Sequence, residues 1–214
     1  QSLTAVQVWS PKLFSLRCSR DPGFRFRAGQ FARLGVPKAD GSVVWRAYSM
    51  VSAPHDEFLE FFSIVVPGGE FTSELSRLQV GDSLLVDRQA FGFLTLERFT
   101  GGRDLWLLAS GTGLAPFLSI LQDFEAWQRF ERIVLVYSAR SFAELAYQPL
   151  IRSFSELEHL AAADLQRGGL QCRNLPTGDA VGFVDGLKLD HANDLLGVFK
   201  GGPQGGRGRP SGAG

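Results

Sequence analysis

The sequence predicts two domains: an antiparallel β domain of the small-barrel or sandwich type, then an α/β domain built on a parallel sheet. Three observations carry this. Short runs rich in Val, Phe and Leu, separated by turn signals, fill roughly the first hundred residues. After "TGGRD" (100–104) the pattern changes to strand, helix, strand, helix. At 214 residues and 44% hydrophobic content, the chain suits one large or two small cores.

Taken in order, "LTAVQVW" (3–9), "LFSLRCS" (13–19), "FARLGV" (31–36), "VVWRAYSMV" (43–51), "FLEFFSIVV" (58–66) and "SLLVD" (83–87) read as strands. "DPG" (21–23), "KADGS" (38–42), "PGG" (67–69) and "VGD" (80–82) read as the turns between them. A short helix is expected at "FTSELSRL" (71–78). The apolar run "LWLLAS" (105–110) opens the second domain. Gly-Thr-Gly and the helical spacing of "LAPFLSILQDFEAW" (114–127) follow it. "RIVLVYS" (132–138) is a second strand, and "FAELAYQPLIRSFSELEHLAAA" (142–163) a helix interrupted near Pro149. Periodic signals fade from about residue 164, and the Gly-rich segment 201–214 is expected to be disordered. The expected divisions are 1–98, 103–200 and the tail 201–214.

Bulk properties exclude several functions. Lysine plus arginine and aspartate plus glutamate are equal at 22 each, so no global field favours nucleic acid or an anionic membrane. Cys18 and Cys172 form no C-x-x-C, which argues against a disulfide framework, a zinc site or a built-in iron–sulfur cluster. His55, His159 and His191 have no metal-ligand spacing, so no metal is expected. Without an 18-residue apolar run or a signal-peptide pattern, the reading is a cytoplasmic protein.

Two motifs point to chemistry. "ASGTGLAPF" (109–117) leaves a strand and enters a helix. Gly111 and Gly113 allow a tight turn and close approach of a ligand, and Pro116 suits the first helical turn. The loop is neither a P-loop nor G-x-G-x-x-G, and an ordinary strand-to-helix turn would look the same. In "RAYS", alternation puts Arg46 and Tyr48 on one face of a strand and Ala47 and Ser49 on the other. A guanidinium suits paired phosphate oxygens, and a ring two residues on can lie against an extended ligand. An edge-strand arginine resting its stem on a core tyrosine is the alternative.

In order along the chain, "FRAGQF" (26–31), "RAYSM" (46–50), "LEFFSIVV" (59–66), "GGEFTSEL" (68–75), "ASGTGLAPFLSILQD" (109–123) and "ELAYQPLI" (144–151) resemble the ferredoxin–NADP(H) reductase family, in its bacterial ferredoxin/flavodoxin form. The resemblance runs from about residue 3 to 152. It implies an antiparallel barrel holding FAD, then a domain binding NADP(H). It implies that Arg46 holds the FAD pyrophosphate, with Ala47 beside it. Tyr48 packs on the flavin and Ser49 lies near its reactive edge, so these two are the expected catalytic pair. Phe62 lines the FAD site, and Glu70, Phe71 and Thr72 wrap the pyrophosphate. Gly111, Thr112 and Gly113 receive the NADP(H) pyrophosphate, and Arg140 contacts the dinucleotide phosphates, favouring NADPH. The implied reaction is hydride transfer between nicotinamide and flavin, with single electrons passing to ferredoxin or flavodoxin. A monomer is expected, and Arg25, Arg27, Arg33 and Lys38 are the expected basic patch for an acidic carrier.

The last sixty or so residues depart from the family pattern. They lack its Thr-Arg-Glu-like segment and its Cys-Gly-x-Pro strand, and Cys172, in "LQCRNLP", has no glycine after it. The second domain is therefore expected to be incomplete at its C-terminus. Either a divergent tail or an out-of-frame reading of a GC-rich gene would produce this. Two other functions fit the same motifs: an NADH-dependent reductase component of an oxygenase, and an FAD-binding remnant without nucleotide turnover.

Overall fold

The computed structural model describes residues 1–38, 40–99, 101–161, 172–177 and 180–185. The first domain holds β1 (Leu3–Ser10), β2 (Leu13–Ser19), β3 (Phe31–Pro37), β4 (Val43–Ser49), β5 (Phe58–Ile64) and β6 (Leu85–Phe91), with helix α1 (Glu70–Leu75) before β6. Two antiparallel sheets form, ordered β1-β2-β5 and β4-β3-β6. Bridges Ser2↔Ser83 and Met50↔Phe61 join β1 to β6 and β4 to β5, closing the six strands into a barrel. The sixth strand runs further than "SLLVD" because Ala90 and Phe91 keep pairing with β3 past a register shift. The Phe31 and Phe91 rings stack there at 5.8 Å.

Strand β5 separates two cores. Leu59 and Phe61 point into the barrel with Leu16, Leu34 and Met50. Phe62 and Ile64 face the opposite way, into a cluster shared with Leu114, Leu118 and Tyr147 of the second domain. The period of two along the strand thus serves both domains at once. This explains why "FLEFFSIVV" carries apolar residues on both faces, interrupted only by Glu60 and Ser63.

The second domain holds β7 (Asp104–Ser110), α2 (Ala115–Leu121), α3 (Phe124–Arg129), β8 (Arg132–Ala139), α4 (Gln148–Ala161), β9 (Cys172–Thr177) and β10 (Ala180–Asp185). β7 and β8 are parallel, as the alternation of strands and helices predicts. The β9–β10 hairpin joins β8 antiparallel, so the four-stranded sheet, ordered β7-β8-β10-β9, is mixed. The helix expected at 114–127 is two helices. Asp123 caps the second of them by accepting from the Glu125 amide at 3.1 Å. Pro149 lies in the first turn of α4 rather than interrupting a longer helix, since a first-turn residue needs no amide partner. The expected disordered tail, 201–214, lies outside the described residues.

Candidate functional site

Pairing with β3 fixes the orientation of "RAYS". Arg46 lies opposite Leu34 and Tyr48 opposite Ala32, both of which face the barrel core; Ala47 and Ser49 lie opposite Arg33 and Phe31. Arg46 and Tyr48 therefore share a face, as the alternation requires. The Tyr48 hydroxyl is 3.0 Å from Ser63 Oγ on β5, and its ring lies 5.5 Å from Phe71 on α1. Burial raises the phenol pKa, so Tyr48 is neutral at physiological pH. The Arg46 side chain is exposed and donates to the Trp45 carbonyl at 2.8 Å. Among the described residues no carboxylate pairs with it.

Helix α1 is held against β3 and β4 by that ring contact and by Lys38, whose ammonium meets Glu70 at 2.5 Å. The hydrogen bond to Glu70 raises the Lys38 pKa. Thr72 is buried, and its hydroxyl accepts from the Val66 amide at 3.0 Å. Together with Gly69 N–H to Val66 carbonyl at 2.9 Å, this bond closes the turn leading into the helix. Thr72 thus shapes the segment from which it was expected to act. Phe62 lies on the domain-facing side of β5, edge-on to Tyr147 at 5.1 Å.

In the second domain Ser110 pairs with Ser138, so the glycine turn and Arg140 both leave the carboxyl end of the parallel pair. Ligands of open α/β sheets bind at that end. Gly111 has φ 52°, a conformation that favours glycine. A Cβ at Gly111 or Gly113 would meet no atom within 4 Å. Packing therefore does not demand glycine at Gly113. Helix α2, which follows the turn, docks on the segment just beyond Ser49. Ser119 Oγ donates to the Ser52 carbonyl at 2.8 Å and Gln122 Nε2 to the Val51 carbonyl at 2.7 Å. One helix thus ties the glycine turn to the end of the R-x-Y-S strand. Gly111, Thr112 and Arg140 line a cleft of about 240 Å³, with Lys12, Leu13 and Ile64 across it.

The basic patch is weaker than composition suggested. Arg27 pairs with Glu97, Arg33 with Asp87 at 3.7 Å, and Lys38 with Glu70. Three of the four expected cations therefore each have a carboxylate partner, in exposed pairs.

Two further residues had no local signal. Tyr147 is 4% exposed and has φ 61°, an uncommon conformation outside glycine. Its ring packs 4.7 Å from Trp9, and its hydroxyl donates to Glu60 Oε1 at 2.8 Å. Glu60 Oε2 accepts from Arg17 Nε at 2.6 Å. A second-domain tyrosine is thus pinned to the first. Lys12, in the β1–β2 turn, reaches the cleft only because the domains pack there.

Comparison with known proteins adds independent findings. Residues 5–88 match the family model described as an oxidoreductase FAD-binding domain, and 107–167 the oxidoreductase NAD-binding domain. A ferredoxin–NADP reductase A of Sorangium cellulosum is 48% identical over 164 residues, 77% of this chain and 56% of the relative. A ferredoxin–NADP reductase of Pseudomonas aeruginosa is 44% identical, covering 71% of this chain and 58% of the relative. The flavodoxin/ferredoxin–NADP reductase of Escherichia coli is 39% identical, covering 86% of this chain and 73% of the relative. A crystal structure of a ferredoxin NADP+ reductase from Neisseria gonorrhoeae, with bound FAD and NADP, superposes with a TM-score of 0.69 at 40% identity. It covers 73% of this chain and 63% of that one. The chain spans less than two thirds of the length of the Sorangium and Pseudomonas relatives.

Proposed function

The chain belongs to the ferredoxin/flavodoxin–NADP reductase family, and on that premise we propose that it is an FAD-dependent oxidoreductase moving hydride between NADP(H) and FAD and single electrons to or from ferredoxin or flavodoxin. One observation carries the reading: a guanidinium without a carboxylate partner among the described residues, Arg46, shares a strand face with the half-buried ring of Tyr48, whose hydroxyl lies 3.0 Å from Ser63 Oγ. A cation for phosphates beside a fixed ring for a flat heterocycle fits FAD.

FAD supplies a ring that takes up a hydride and returns electrons one at a time. The chain's residues hold and orient. Arg46 would meet the pyrophosphate with a forked, permanently charged donor, and the segment Glu70–Phe71–Thr72 would help to hold it. Tyr48, neutral and with its hydroxyl beside Ser63 Oγ, would support the ring, and Ser49 would offer a hydroxyl to it. Gly111, Thr112 and Gly113 let the NADP(H) phosphates approach the backbone, and Arg140 offers a second fork. Arg140 is 76% exposed and 3.9 Å from Glu144, which leaves the guanidinium accessible to phosphate and favours NADPH. No residue has to act as nucleophile or general base.

Arg46→Gln tests the cofactor assignment. Loss of a charge-assisted hydrogen bond, about 1.5–3 kcal/mol, raises the Kd for FAD about 10- to 150-fold, as read from recovery of flavin fluorescence on dilution. An unchanged Kd would remove Arg46 from the flavin site.

Every site residue named comes from one chain, so a monomer suffices, which light scattering checks. A cytoplasmic location is part of the same reading, and fractionation of the producing cells tests it. Among the described residues no helix is long and apolar enough to cross a membrane.

A further inference from the structure

The cleft at the carboxyl end of β7 and β8 has walls from both domains. Ser110, Gly111, Thr112, Ala139, Arg140 and Glu144 form one side; Lys12, Leu13 and Ile64 form the other. The two cations on it are not equivalent. Arg140 has Glu144 at 3.9 Å. Lys12 is exposed, and among the described residues its ammonium has no hydrogen-bond or ion-pair partner. The backbone of Lys12 is nevertheless fixed, because its carbonyl accepts from the Val65 amide at 2.7 Å. Leu13, the next residue, is buried in the core that joins the domains. A flexible stem on an anchored Cα thus delivers an uncompensated charge to a cleft whose near wall, Leu13 and Ile64, is apolar. Such a wall suits a flat ring, and such a charge suits an anion next to it.

We propose that Lys12 binds the pyrophosphate of the pyridine dinucleotide from the first domain, so that the nucleotide itself bridges the two domains. This rests on the reductase reading above. The pyrophosphate is favoured over the 2′-phosphate by position. Lys12 belongs to the flavin-side domain and faces the Gly111–Thr112 turn, whereas a 2′-phosphate lies at the adenosine end, furthest from the nicotinamide. Because the pyrophosphate is common to both nucleotides, Lys12 contributes affinity without selecting between them. Arg140 is the residue left to select.

The test is calorimetric titration of the full, flavin-loaded chain and its Lys12→Gln and Lys12→Arg variants with NADP+ and, separately, NAD+. Lys12→Gln is expected to weaken both nucleotides by a similar factor, about tenfold, with a flatter dependence on ionic strength. Lys12→Arg is expected to restore most of the affinity while flavin content stays constant. Equal affinity in Lys12→Gln and the unaltered chain overturns the inference and leaves the reductase reading intact. A loss confined to NADP+ also overturns it, by moving the amine to the 2′-phosphate. If the unaltered, flavin-loaded chain binds neither nucleotide, the reductase reading fails and the inference with it.

Discussion

Gly29→Ala destabilises the protein by about 2–5 kcal/mol, the sum expected from forcing a side chain into positive φ and overpacking a filled interior. Gly29 has φ 90°, and a Cβ there would lie 1.8 Å from the Leu94 carbonyl oxygen and 3.2 Å from Ile120 Cδ1. The first contact is backbone, which cannot swing aside like a side-chain tip. The second belongs to α2, the helix that carries the glycine turn. Relief of the clash therefore moves either the segment before Thr95 or the second domain. The midpoint of thermal unfolding should fall by about 5–15 °C. Gly111→Ala is the comparison, because φ is 52° but the space is open. Its stability cost should be only about 1–2 kcal/mol. A Gly29→Ala midpoint within about 2 °C of the unaltered chain would show that the Leu94 segment yields freely.

Tyr147→Ala removes the pin between the domains. Emptying a buried aromatic site costs about 3–5 kcal/mol, and it also leaves Glu60, 6% exposed, without its tyrosine donor. Flavin should remain bound, because Tyr147 touches neither Arg46 nor α1, and Phe62, which it does touch, lies in the core between the domains rather than beside Tyr48. Reduction by NADPH should slow by about a hundredfold, the scale of an ångström-level misplacement of reacting groups. Stopped-flow reduction measured beside flavin content separates the two effects. If reduction keeps its rate while stability falls, Tyr147 is packing alone. Tyr147→Phe keeps the ring and loses the hydroxyl with its bond to Glu60, so about 1–3 kcal/mol is expected.

The same residue has a pH signature. Burial, and then the neighbouring Glu60 charge, push the Tyr147 hydroxyl well above its ordinary value of 10.0. Burial pushes Tyr137 up to about 12. In both, the folded state favours the neutral form more than the unfolded state does. Their stabilisation is therefore complete below pH 10.0 and is lost as the pH rises through the folded values. Urea midpoints measured between about pH 9 and 12 should fall steeply for the unaltered chain and less steeply for Tyr147→Phe. Identical slopes would mean that the hydroxyl is not held neutral by its surroundings.

Much of the fold was legible because its signals are local. The strands from "LTAVQVW" to "FLEFFSIVV", the glycine turn and the parallel pair all follow from runs of side chains and turn residues. Arg46 and Tyr48 could be placed on one face from alternation alone. What escaped depends on contacts distant in sequence. Arg88 and Gln89 look unlike strand residues, yet β6 carries them because it continues along β3 to Phe91. Asp123 could have been read as a helix cap but sits inside an unbroken apolar period. Nothing in "ELAYQPLI" announces a tyrosine at positive φ, because the bond to Glu60, 87 residues away, exists only once the domains pack. Lys12 was invisible for the same reason. The patch of Arg27, Arg33 and Lys38 looked basic only because Glu97, Asp87 and Glu70 are remote in sequence.

The central claim is that Arg46 and Tyr48 hold a flavin which a nucleotide in the neighbouring cleft reduces. Anaerobic titration of the purified, flavin-loaded chain with NADPH and then NADH, following the visible flavin absorbance, tests it most directly. The account predicts bleaching at near-stoichiometric NADPH and weaker bleaching with NADH. Bound flavin that neither nucleotide bleaches would contradict it, leaving a chain that holds FAD without turning over a nucleotide.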